Sequence, residues 1–498
     1  MEYTQRLNEL ETHSRRLDSG AACRKEWINC VVEYSENFLD NLSRLNHKTI
    51  HEDNPSDDGI TQYGITDKGS NIGELVNALD THVFKNGLES AHANYFAFVS
   101  GGALFPSALG DLLAGVTNKF SGLNFLAPGA VKLEHMLISW IASLFGYPKE
   151  HAGNLTSGGS AATLIALVTA RDSSGLRPNE YERAVVYLTK DTYNCVHKGM
   201  RILGMHDVIL RFIDFTNEWQ MDPKCLQNQI RSDKKAGLIP FFIAISIGTG
   251  NLGSIDPIDK IADVAEEQDV WLHADAAYGG FFILVDGLKH WFKGTERTDS
   301  IIIDPHKGLF LPNGIGAIVI RNGRKLYESH KLSGYSNDIL QDVEIDEWSP
   351  SDLSFELTRP FRGLKMWLTL KLFGVTTFSS ALEEKMLLAN YFHHKLTEID
   401  GIIAGPKPVL SVVLFHFGAR NRSLSDRMSR ELMRYILSDG RVYLSSTTLD
   451  GIYHLRICVL NFRLHRENID LLLSIIRVNT EKLRKKNNLK RLKVNDEC

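Results

Sequence analysis

The sequence predicts an α/β fold: a large domain built on a mainly parallel sheet, a smaller α+β domain after it and a helical arm before it. Short runs of β-branched and aromatic residues alternate with amphipathic stretches from about residue 130 onward, and continuous apolar strands are typical of a parallel sheet covered on both faces. The pattern of apolar residues changes before and after this region, which predicts the helical arm and the smaller α+β domain as separate parts. The apolar runs are AVVYL (184–188), FFIAISI (241–247), VWLHA (270–274), SIII (300–303) and GAIVI (316–320).

Residues 1–90 are predicted to form the helical arm. Apolar residues recur at helical spacing from Glu26 to Leu45 and again from Leu75 to Leu88, whereas 47–72 is polar and predicts a loop. This segment has little apolar core of its own, so we expect it to pack against another surface, such as a second subunit.

The large domain is assigned to residues 91–375 and the small α+β domain to residues 376–498. A long helical pattern over 364–398 is followed by two strand patterns, VLSVVLFHF and YHLRICVL, among helices. The chain ends in a basic tail, EKLRKKNNLKRLKVNDEC, which is more typical of a solvated helix end than of an RNA- or lipid-binding site.

The overall composition argues against several classes of protein. The chain has 498 residues, is 43% hydrophobic and has a net charge of −4, so nothing calls for nucleic acid or an anionic membrane as a partner. No uninterrupted apolar run approaches the ~20 residues that a membrane helix needs. The six cysteines form no CxxC pair and lack metal-ligand spacing, which predicts no metal site and a reduced, cytoplasmic location.

Chemically distinctive residues lie where predicted strands end, which is where open α/β sheets bind ligands. In VWLHADAAYGG, Asp275 follows a strand and is flanked by small residues. A carboxylate there can pair with a cationic ring nitrogen, and Ala277 leaves room for a flat ring. An aspartate that caps a helix explains this motif equally well when it is taken alone.

A glycine-rich turn, Ser157-Gly158-Gly159-Ser160, opens an amphipathic helix in GNLTSGGSAATLIAL (153–167). Free backbone N–H groups and the helix dipole suit such a turn to one phosphate group. It is neither a Walker loop nor a GxGxxG motif. Taken alone, a plain glycine-rich helix start is slightly favoured.

The third motif, SIIIDPHKGLF, places Lys307 just after a strand and 32 residues beyond Asp275, so the two can lie at adjacent strand ends. A lysine that is partly desolvated and near other cations has a lowered pKa and can form a Schiff base. His306 can contact a phosphate or a carboxylate. A single lysine in a loop, without the other motifs, would be an ordinary surface residue.

Together the three motifs describe one ligand. An amine for an aldehyde, a helix N-terminus for a phosphate and a carboxylate for a pyridinium nitrogen are what pyridoxal 5′-phosphate (PLP) requires. Their joint occurrence is far more specific than any one of them. The sequence therefore predicts a PLP enzyme.

The chain resembles the group II PLP-dependent amino acid decarboxylases, which include the aromatic amino acid, tyrosine, histidine and glutamate decarboxylases. The resemblance covers about residues 75–460 and rests on SGGSAATLIAL, HADAAYGG, DPHKGLFLP and RPFRGLKMW, with HANYFAFVSGGALFPSALGDLL before them. DPHKGLFLP is most similar to a bacterial branch. The resemblance implies the type I (aspartate aminotransferase-like) PLP fold, a homodimer with N-terminal arms wrapped across the partner, and an L-amino acid substrate.

Carried over by position, the resemblance implies a set of contacts. Lys307 would bind PLP as an internal aldimine, Asp275 would pair with the pyridine nitrogen, and Ala277 would pack against the ring. The residues that would hold the phosphate are Gly158, Gly159, Ser160 and His306. The residues at the family's substrate-pocket positions are Phe98, Val99 and Ser100.

The sequence also departs from the family pattern. Tyr193 stands where the family stacks a histidine on the ring, and tyrosine is a much poorer acid or base near neutral pH. In the turn GTGNLGSID, Gly250 replaces a threonine of the family while Thr249 remains, and Gly308 replaces a tryptophan. Tyr335 is the candidate for a mobile-loop tyrosine that protonates the α-carbon, and an ordinary loop tyrosine explains it almost as well.

Three functions are open at this point. The first is decarboxylation to an amine and CO2. The second keeps PLP but yields an aldehyde by oxidative deamination, or cleaves a carbon–carbon bond. The third is a catalytically silent binding dimer, which the intact Lys307 and Asp275 argue against. The residues considered for the substrate side chain, each with a core or structural alternative, are Tyr95, Phe96, Phe98, Arg359 and Arg362.

Overall fold

The structure is a computed structural model, and it describes residues 2–45, 58–331 and 348–487. The candidate proton donor Tyr335 and the last part of the basic tail, 488–498, lie outside these residues.

One compact unit contains Met1–His92 together with Leu437–Arg441. Its predicted arm is helical. The Tyr34 hydroxyl donates a 3.0 Å hydrogen bond to Asp80 and so joins the second helix of the arm to the turn that follows the third. The elements of the arm are α1 (Glu2–Ser14), α2 (Ala21–Asn41), α3 (Ile72–Leu79) and a π-helical turn over Asp80–Phe84.

The other unit contains Ala93–Ile436 and Val442–Cys498, and a seven-stranded sheet organises it. The strands are β1 (Ala152–Thr156), β2 (Ala184–Leu188), β3 (Ile209–Phe212), β4 (Ile239–Ser246), β5 (Trp271–Asp275), β6 (Ser300–Ile303) and β7 (Gly316–Ile320). Their order is β1-β7-β6-β5-β4-β2-β3, and they are parallel except β7, which is antiparallel to β1 and β6. The predicted, mainly parallel α/β architecture is confirmed.

All the predicted apolar runs form strands, whereas β1 and β3 were not predicted. The β1 sequence AGNLT contains glycine and asparagine, which are depleted in strands. β3 is a short, partly exposed strand at the edge of the sheet. Both strands therefore lack the continuous apolar pattern that marks the central ones.

Alternate residues of the central strands enter two separate apolar cores. On β6, Ile301 and Ile303 pack into one core and Ile302 into the other. Successive side chains of a strand point to opposite faces, so both faces of the sheet are buried. The α-helices between residues 105 and 330 are α4 (Phe105–Thr117), α5 (Pro128–Leu144), α6 (Gly159–Ser173), α7 (Cys195–Ile202), α8 (Pro223–Lys235), α9 (Ile258–Gln268), α10 (Pro305–Gly308) and α11 (Gly323–His330).

The long helix predicted over 364–398 is two helices. The chain turns at Gly374, whose φ of +73° favours glycine, between α12 (Arg362–Phe373) and α13 (Val375–Leu396). The elements that follow are β8 (Ile402–Ala404), β9 (Val412–Phe417), α14 (Arg422–Asp439), β10 (Ser445–Leu449), β11 (Ile452–Cys458) and α15 (Arg466–Lys486). The four strands form an antiparallel sheet in the order β10-β11-β9-β8. The predicted domain boundaries at residues 90 and 375 stay predictions.

None of the helices in the described ranges is long and apolar enough to cross a lipid bilayer.

A buried ion pair supports β1, the strand that leads into the glycine-rich turn. Glu134 on α5 lies 2.9 Å from Nη1 of Arg359, and the side chains are 1% and 0% exposed. Both bind Leu155 on β1: Glu134 accepts its N–H at 2.9 Å and Arg359 donates to its carbonyl. Arg362 donates to the same carbonyl and forms a 2.7 Å ion pair with Glu356. The two arginines are therefore engaged in the fold rather than free for a second substrate carboxylate.

The substitution Glu134→Ala is expected to lower the free energy of unfolding by about 3–5 kcal/mol, because it leaves the Arg359 charge buried without its partner. Urea denaturation of purified protein measures this loss. The matched control is Glu267→Ala, whose partner Arg231 is half exposed; this substitution should change the free energy of unfolding far less, because solvent screens an exposed pair. Equal effects of the two substitutions would contradict the structural role given to the buried pair.

Candidate active site

The three sequence motifs meet at one edge of the large sheet. β5 ends at Asp275, and β6 ends at Ile303, just before Asp304 and the one-turn helix α10 that carries Lys307. The two strands are parallel neighbours with Asp275 opposite Ile302. The prediction that Asp275 and Lys307 lie at adjacent strand ends is confirmed. Short 3-10 helices, rather than one α-helix, connect the two strands.

Asp275 is a buried carboxylate with one oxygen turned to a thiol. Its Oδ1 accepts the N–H of Ala277 at 3.1 Å, and its Oδ2 lies 4.0 Å from Sγ of Cys195. Burial raises the pKa of Asp275, while the charge of Lys307 and the Ala277 N–H act in the opposite direction. A carboxylate in such a place gains strongly from a cationic partner.

Lys307 is surrounded by anions in the described structure. Its Nζ lies 3.1 Å from Oδ2 of Asp304, whose side chain is almost fully buried. Burial by itself would lower the pKa of Lys307, but the charges of Asp304 and Asp275 outweigh it and the pKa is raised. The expectation that Lys307 lies near other cations and has a lowered pKa is therefore wrong.

The glycine-rich turn lies beside the lysine segment. Gly158 has a φ of +147°, a conformation that favours glycine, and α6 begins directly after it at Gly159. A Cβ at Gly158 would stand 3.6 Å from the His306 ring. Nδ1 of His306 lies 2.5 Å from the carbonyl of Ile315. The structure therefore brings Gly158, Gly159 and His306 together, with Ser160 exposed on the first turn of α6.

Tyr193 and Thr249 lie in two loops that a hydrogen bond connects. Tyr193 precedes α7, has 65% of its side chain exposed, and is among the groups that interact electrostatically with Lys307. Thr249 lies in the turn after β4, where its hydroxyl is 3.0 Å from that of Ser254. Asn251 of this turn donates to Asp191, two residues before Tyr193, at 3.1 Å.

The loop of residues 98–104 packs directly on the lysine segment. A Cβ at Gly101 would stand 2.8 Å from the carbonyl oxygens of His306 and Lys307, so only glycine fits. The N–H of Leu104 donates to the Phe310 carbonyl at 2.8 Å. The predicted substrate-pocket residues directly precede Gly101 in this loop; they are Phe98, Val99 and Ser100.

Phe98 is held in a strained backbone conformation with its ring exposed. Its φ is +53°, which is uncommon for an aromatic residue and is often found at functional sites. The buried Arg456 on β11 donates to the Phe98 carbonyl at 3.0 Å and also to the Gly250 carbonyl. Tyr95 and Phe96, in contrast, are buried and belong to the core.

Three residues of the site were missed from the sequence: Asp304, Cys195 and Arg456. Asp304 stands in the quoted DPHK motif, and its position one turn before Lys307 was the available signal. Cys195 and Arg456 gave no local signal, because their contacts come from residues distant along the chain.

The residues present fit PLP. A buried carboxylate with one oxygen turned to a weak donor suits the protonated ring nitrogen, a lysine lies at the next strand end, and the glycine turn opens a helix for the phosphate. Within the described ranges, no group of three or more His, Cys, Asp or Glu side chains could hold a metal ion.

Comparison with known sequences agrees with this geometry. The family model of the pyridoxal-dependent decarboxylase conserved domain matches residues 64–417. An aromatic-L-amino-acid decarboxylase from Bacillus atrophaeus is 31% identical over 87% of this chain and 91% of its own length. A 4-hydroxyphenylacetaldehyde synthase from Rhodiola rosea is 28% identical over 75% of this chain and 78% of its own length.

Solved structures share the fold. Oryza sativa TDC, solved with PLP and tryptamine, aligns with a TM-score of 0.87 at 22% identity, over 93% of this chain and 99% of its own. Rhodiola rosea 4-hydroxyphenylacetaldehyde synthase aligns with a TM-score of 0.84 at 23% identity, over the same shares. These likenesses support the type I PLP fold predicted from the sequence.

The chain therefore belongs to the pyridoxal-dependent decarboxylase family. It is a PLP-dependent carboxy-lyase that acts on an amino acid. The predictions of family, cofactor and decarboxylation are confirmed.

Alkylation of Cys195 by iodoacetamide at pH 8 is expected to be very slow. Burial, followed by the nearby charge of Asp275, raises the pKa of this thiol to about 12, so only about one molecule in 10⁴ carries the reactive thiolate at pH 8. Peptide mass spectrometry over time measures the modification, with the exposed Cys23 as the internal control. Comparable rates at the two cysteines would contradict the buried position of Cys195.

Proposed function

We propose that this chain decarboxylates an aromatic L-amino acid to the corresponding amine and CO2. The observation that carries the proposal is the packing of loop 98–104 on the lysine segment, with the Phe98 ring 63% exposed. An exposed aromatic ring in a loop that packs on the lysine segment is suited to contact another aromatic ring. The Bacillus atrophaeus relative is an aromatic-L-amino-acid decarboxylase, which agrees with this substrate class.

The proposal assigns a role to each of the candidate residues at the strand ends. When bound, PLP supplies an aldehyde that bonds to an amine and a protonated ring that accepts the electron pair released with CO2. Lys307 provides the amine, Asp275 holds the proton on the ring nitrogen, and Ala277 packs against the ring. The groups that bind the phosphate are Gly158, Gly159, Ser160 and His306.

Tyr193 and Thr249 complete the proposed cofactor contacts. The exposed Tyr193 ring covers the face of the cofactor, and its loop is held by the Asp191–Asn251 hydrogen bond. Thr249 supports the same turn through Ser254. A tyrosine then returns a proton to the α-carbon: Tyr335 is the first candidate for this donor and Tyr193 is the second.

Val99 and Ser100 complete the proposed substrate pocket beside Phe98. The pocket residues follow one another in a loop whose backbone Arg456 holds from the β11 side. A substrate bound in this loop would bring its amine close to the lysine amine, as exchange between the two amines requires.

A second outcome, aldehyde formation, is favoured by one residue of the site. Tyr193 stands at the family's histidine position, and tyrosine is a weaker acid near neutral pH. In this reaction the amino acid, O2 and water give the aldehyde, CO2, ammonia and hydrogen peroxide. The Rhodiola rosea relative is an aldehyde synthase, so the same fold supports both outcomes.

A product assay tests the proposed function. PLP-loaded protein is incubated in air with L-tryptophan, L-tyrosine and L-phenylalanine, and mass spectrometry measures amine, aldehyde and peroxide. The wild type should release amine and CO2 in equal amounts, while Lys307→Ala should lose activity by at least about 10³-fold because the amine that binds the cofactor covalently is removed. The exposed, ion-paired Lys289→Ala is the control and should keep activity.

Each result of this assay has a definite meaning. Aldehyde with peroxide in place of amine would select the second outcome. No product from any aromatic amino acid, with PLP bound, would contradict the aromatic substrate class. Full activity of Lys307→Ala would contradict the role of Lys307.

We also propose that the chain forms a homodimer. Helix α4 exposes a row of apolar side chains, and such a row on one helix face is typical of an interface. The row consists of Leu109, Leu112, Leu113 and Val116, which are 40%, 53%, 48% and 76% exposed. On the arm, α2 exposes a second apolar row of Trp27, Ile28, Val31 and Val32.

The double substitution Leu112→Asp with Val116→Asp is expected to convert the dimer to a monomer, because it would bury two unpaired charges. Light scattering after size exclusion should give twice the 56.0 kDa chain mass for the wild type and the single chain mass for the variant. Val478→Asp on α15, also exposed at 64%, is the control and should stay dimeric. A wild-type monomer would contradict the proposal.

A cytoplasmic location is proposed as well. The five cysteines in the described ranges are all free thiols, as is usual in a reducing compartment.

A further inference from the structure

A groove at the start of helix α14 is lined by charged side chains that have no role in the proposed function. Its volume is about 610 Å³, which is within the usual range of small-molecule sites. The residues that line this arginine groove are Arg422, Ser423, Asp426, Arg427 and Arg430. Three arginines and one aspartate give the groove a net charge of +2.

The arginines of the groove have no anionic partner. In the part of the chain that the structure describes, no carboxylate oxygen lies within 4.0 Å of the guanidinium groups of Arg422, Arg427 or Arg430. Asp426 is engaged differently, because its Oδ1 accepts the N–H of Tyr453 at 2.9 Å. Arg427 and Arg430 are one helical turn apart, a spacing at which like charges repel. An anion in the groove would therefore relieve an unfavourable interaction.

Two of the guanidinium groups are held against the hairpin of β10 and β11. Arg422 packs on the turn at Gly451 so closely that a Cβ at this position would collide with it. Cζ of Arg430 lies 4.1 Å from the centroid of the Tyr453 ring. Arginines that are already held in place lose less freedom when they bind an anion than free ones do. The groove is thus partly preorganised.

We propose that the arginine groove binds a phosphate monoester, either of a small molecule or of a lipid headgroup. Guanidinium groups bind phosphate through pairs of charge-assisted hydrogen bonds. A phosphate monoester carries about −1.5 to −2 charges at pH 7, which matches the charge of the groove, whereas one carboxylate would leave part of it uncompensated. The Ser423 hydroxyl supplies a further donor.

A small phosphate compound fits this surface better than a single-stranded nucleic acid does. Proteins that bind single strands stack the bases on exposed aromatic rings. Here cations already lie over the nearby rings: Arg430 over Tyr453, and Lys482 over Tyr435 at 4.8 Å from the centroid. The cations of the groove are also confined to the first turns of one helix, which suits one phosphate group rather than a long chain of them.

The test is the binding of glycerol 3-phosphate to the full-length holoenzyme. PLP is first fixed in the active site by borohydride reduction, so that the probe cannot bind at the glycine-rich turn. A titration followed by 31P NMR at 0.15 M salt should show one site per chain with a Kd of about 1 mM or below. Acetate should compete at least about tenfold more weakly, because it carries a single charge.

Three single substitutions sharpen this test. Arg422→Gln and Arg430→Gln should each weaken binding about tenfold, because each removes charge-assisted hydrogen bonds. The matched control is Arg434→Gln, which is exposed on the same helix but outside the groove. It should change the Kd less than about twofold, since salt screens its charge. Decarboxylase activity should stay unchanged in all three variants, because α14 contributes no residue to the active site.

A second experiment distinguishes the two sources of the phosphate group. Phosphatidylcholine vesicles that contain phosphatidic acid are mixed with the reduced holoenzyme and separated by flotation. Flotation of the wild type but not of Arg430→Gln would identify a lipid headgroup as a ligand. Binding of glycerol 3-phosphate without flotation would identify a soluble phosphate compound, and both results support the groove.

Other results would overturn the inference. These are the absence of saturable glycerol 3-phosphate binding, and an equal loss of binding in Arg430→Gln and Arg434→Gln. Binding of single-stranded RNA without binding of the phosphate monoester would also overturn it, because a polyanion would then be the ligand. The product assay of the proposed function is independent of these results, since the probe binds while PLP is fixed in the active site.

Discussion

The parallel pairing of β5 with β6 is the constraint on which the site depends. Because parallel neighbours end at the same edge of a sheet, the register of Asp275 opposite Ile302 sets Asp275 beside the segment of Asp304 and Lys307. Both strands are buried on both faces, so water screens these charges little. The three groups must therefore compensate one another. Burial disfavours the charge of Lys307, and the two carboxylates more than restore it.

The segments around these charges are held by residues that are distant from them along the chain. Arg456 binds the carbonyls of Phe98 and Gly250 at once and thereby ties loop 98–104 and the turn after β4 to β11. Gly101 lets this loop touch the lysine segment. The buried pair of Glu134 and Arg359 supports β1, the strand that leads into the glycine-rich turn. In two of these places a buried, charged side chain binds the backbone of the segment that it supports.

The fold and the outcome of the reaction are separable. A decarboxylase and an aldehyde synthase both align with this chain at TM-scores above 0.8, so enzymes with either product share this fold. The product of a fold of this kind is set by the side chains of the site, which can change while the scaffold stays the same.

The sequence by itself predicted the central strands and the chemistry. Unbroken apolar runs predicted five strands of the large sheet, and the types and order of Asp275, Lys307 and the glycine-rich turn predicted PLP. Only the tertiary structure showed that the Asp304 carboxylate is buried against the Lys307 amine, because side-chain direction and burial cannot be read from the order of residues. It also decided the roles of Arg456 and Arg359. Arg456 and Phe98 are 358 residues apart along the chain, and packing alone brings such pairs together.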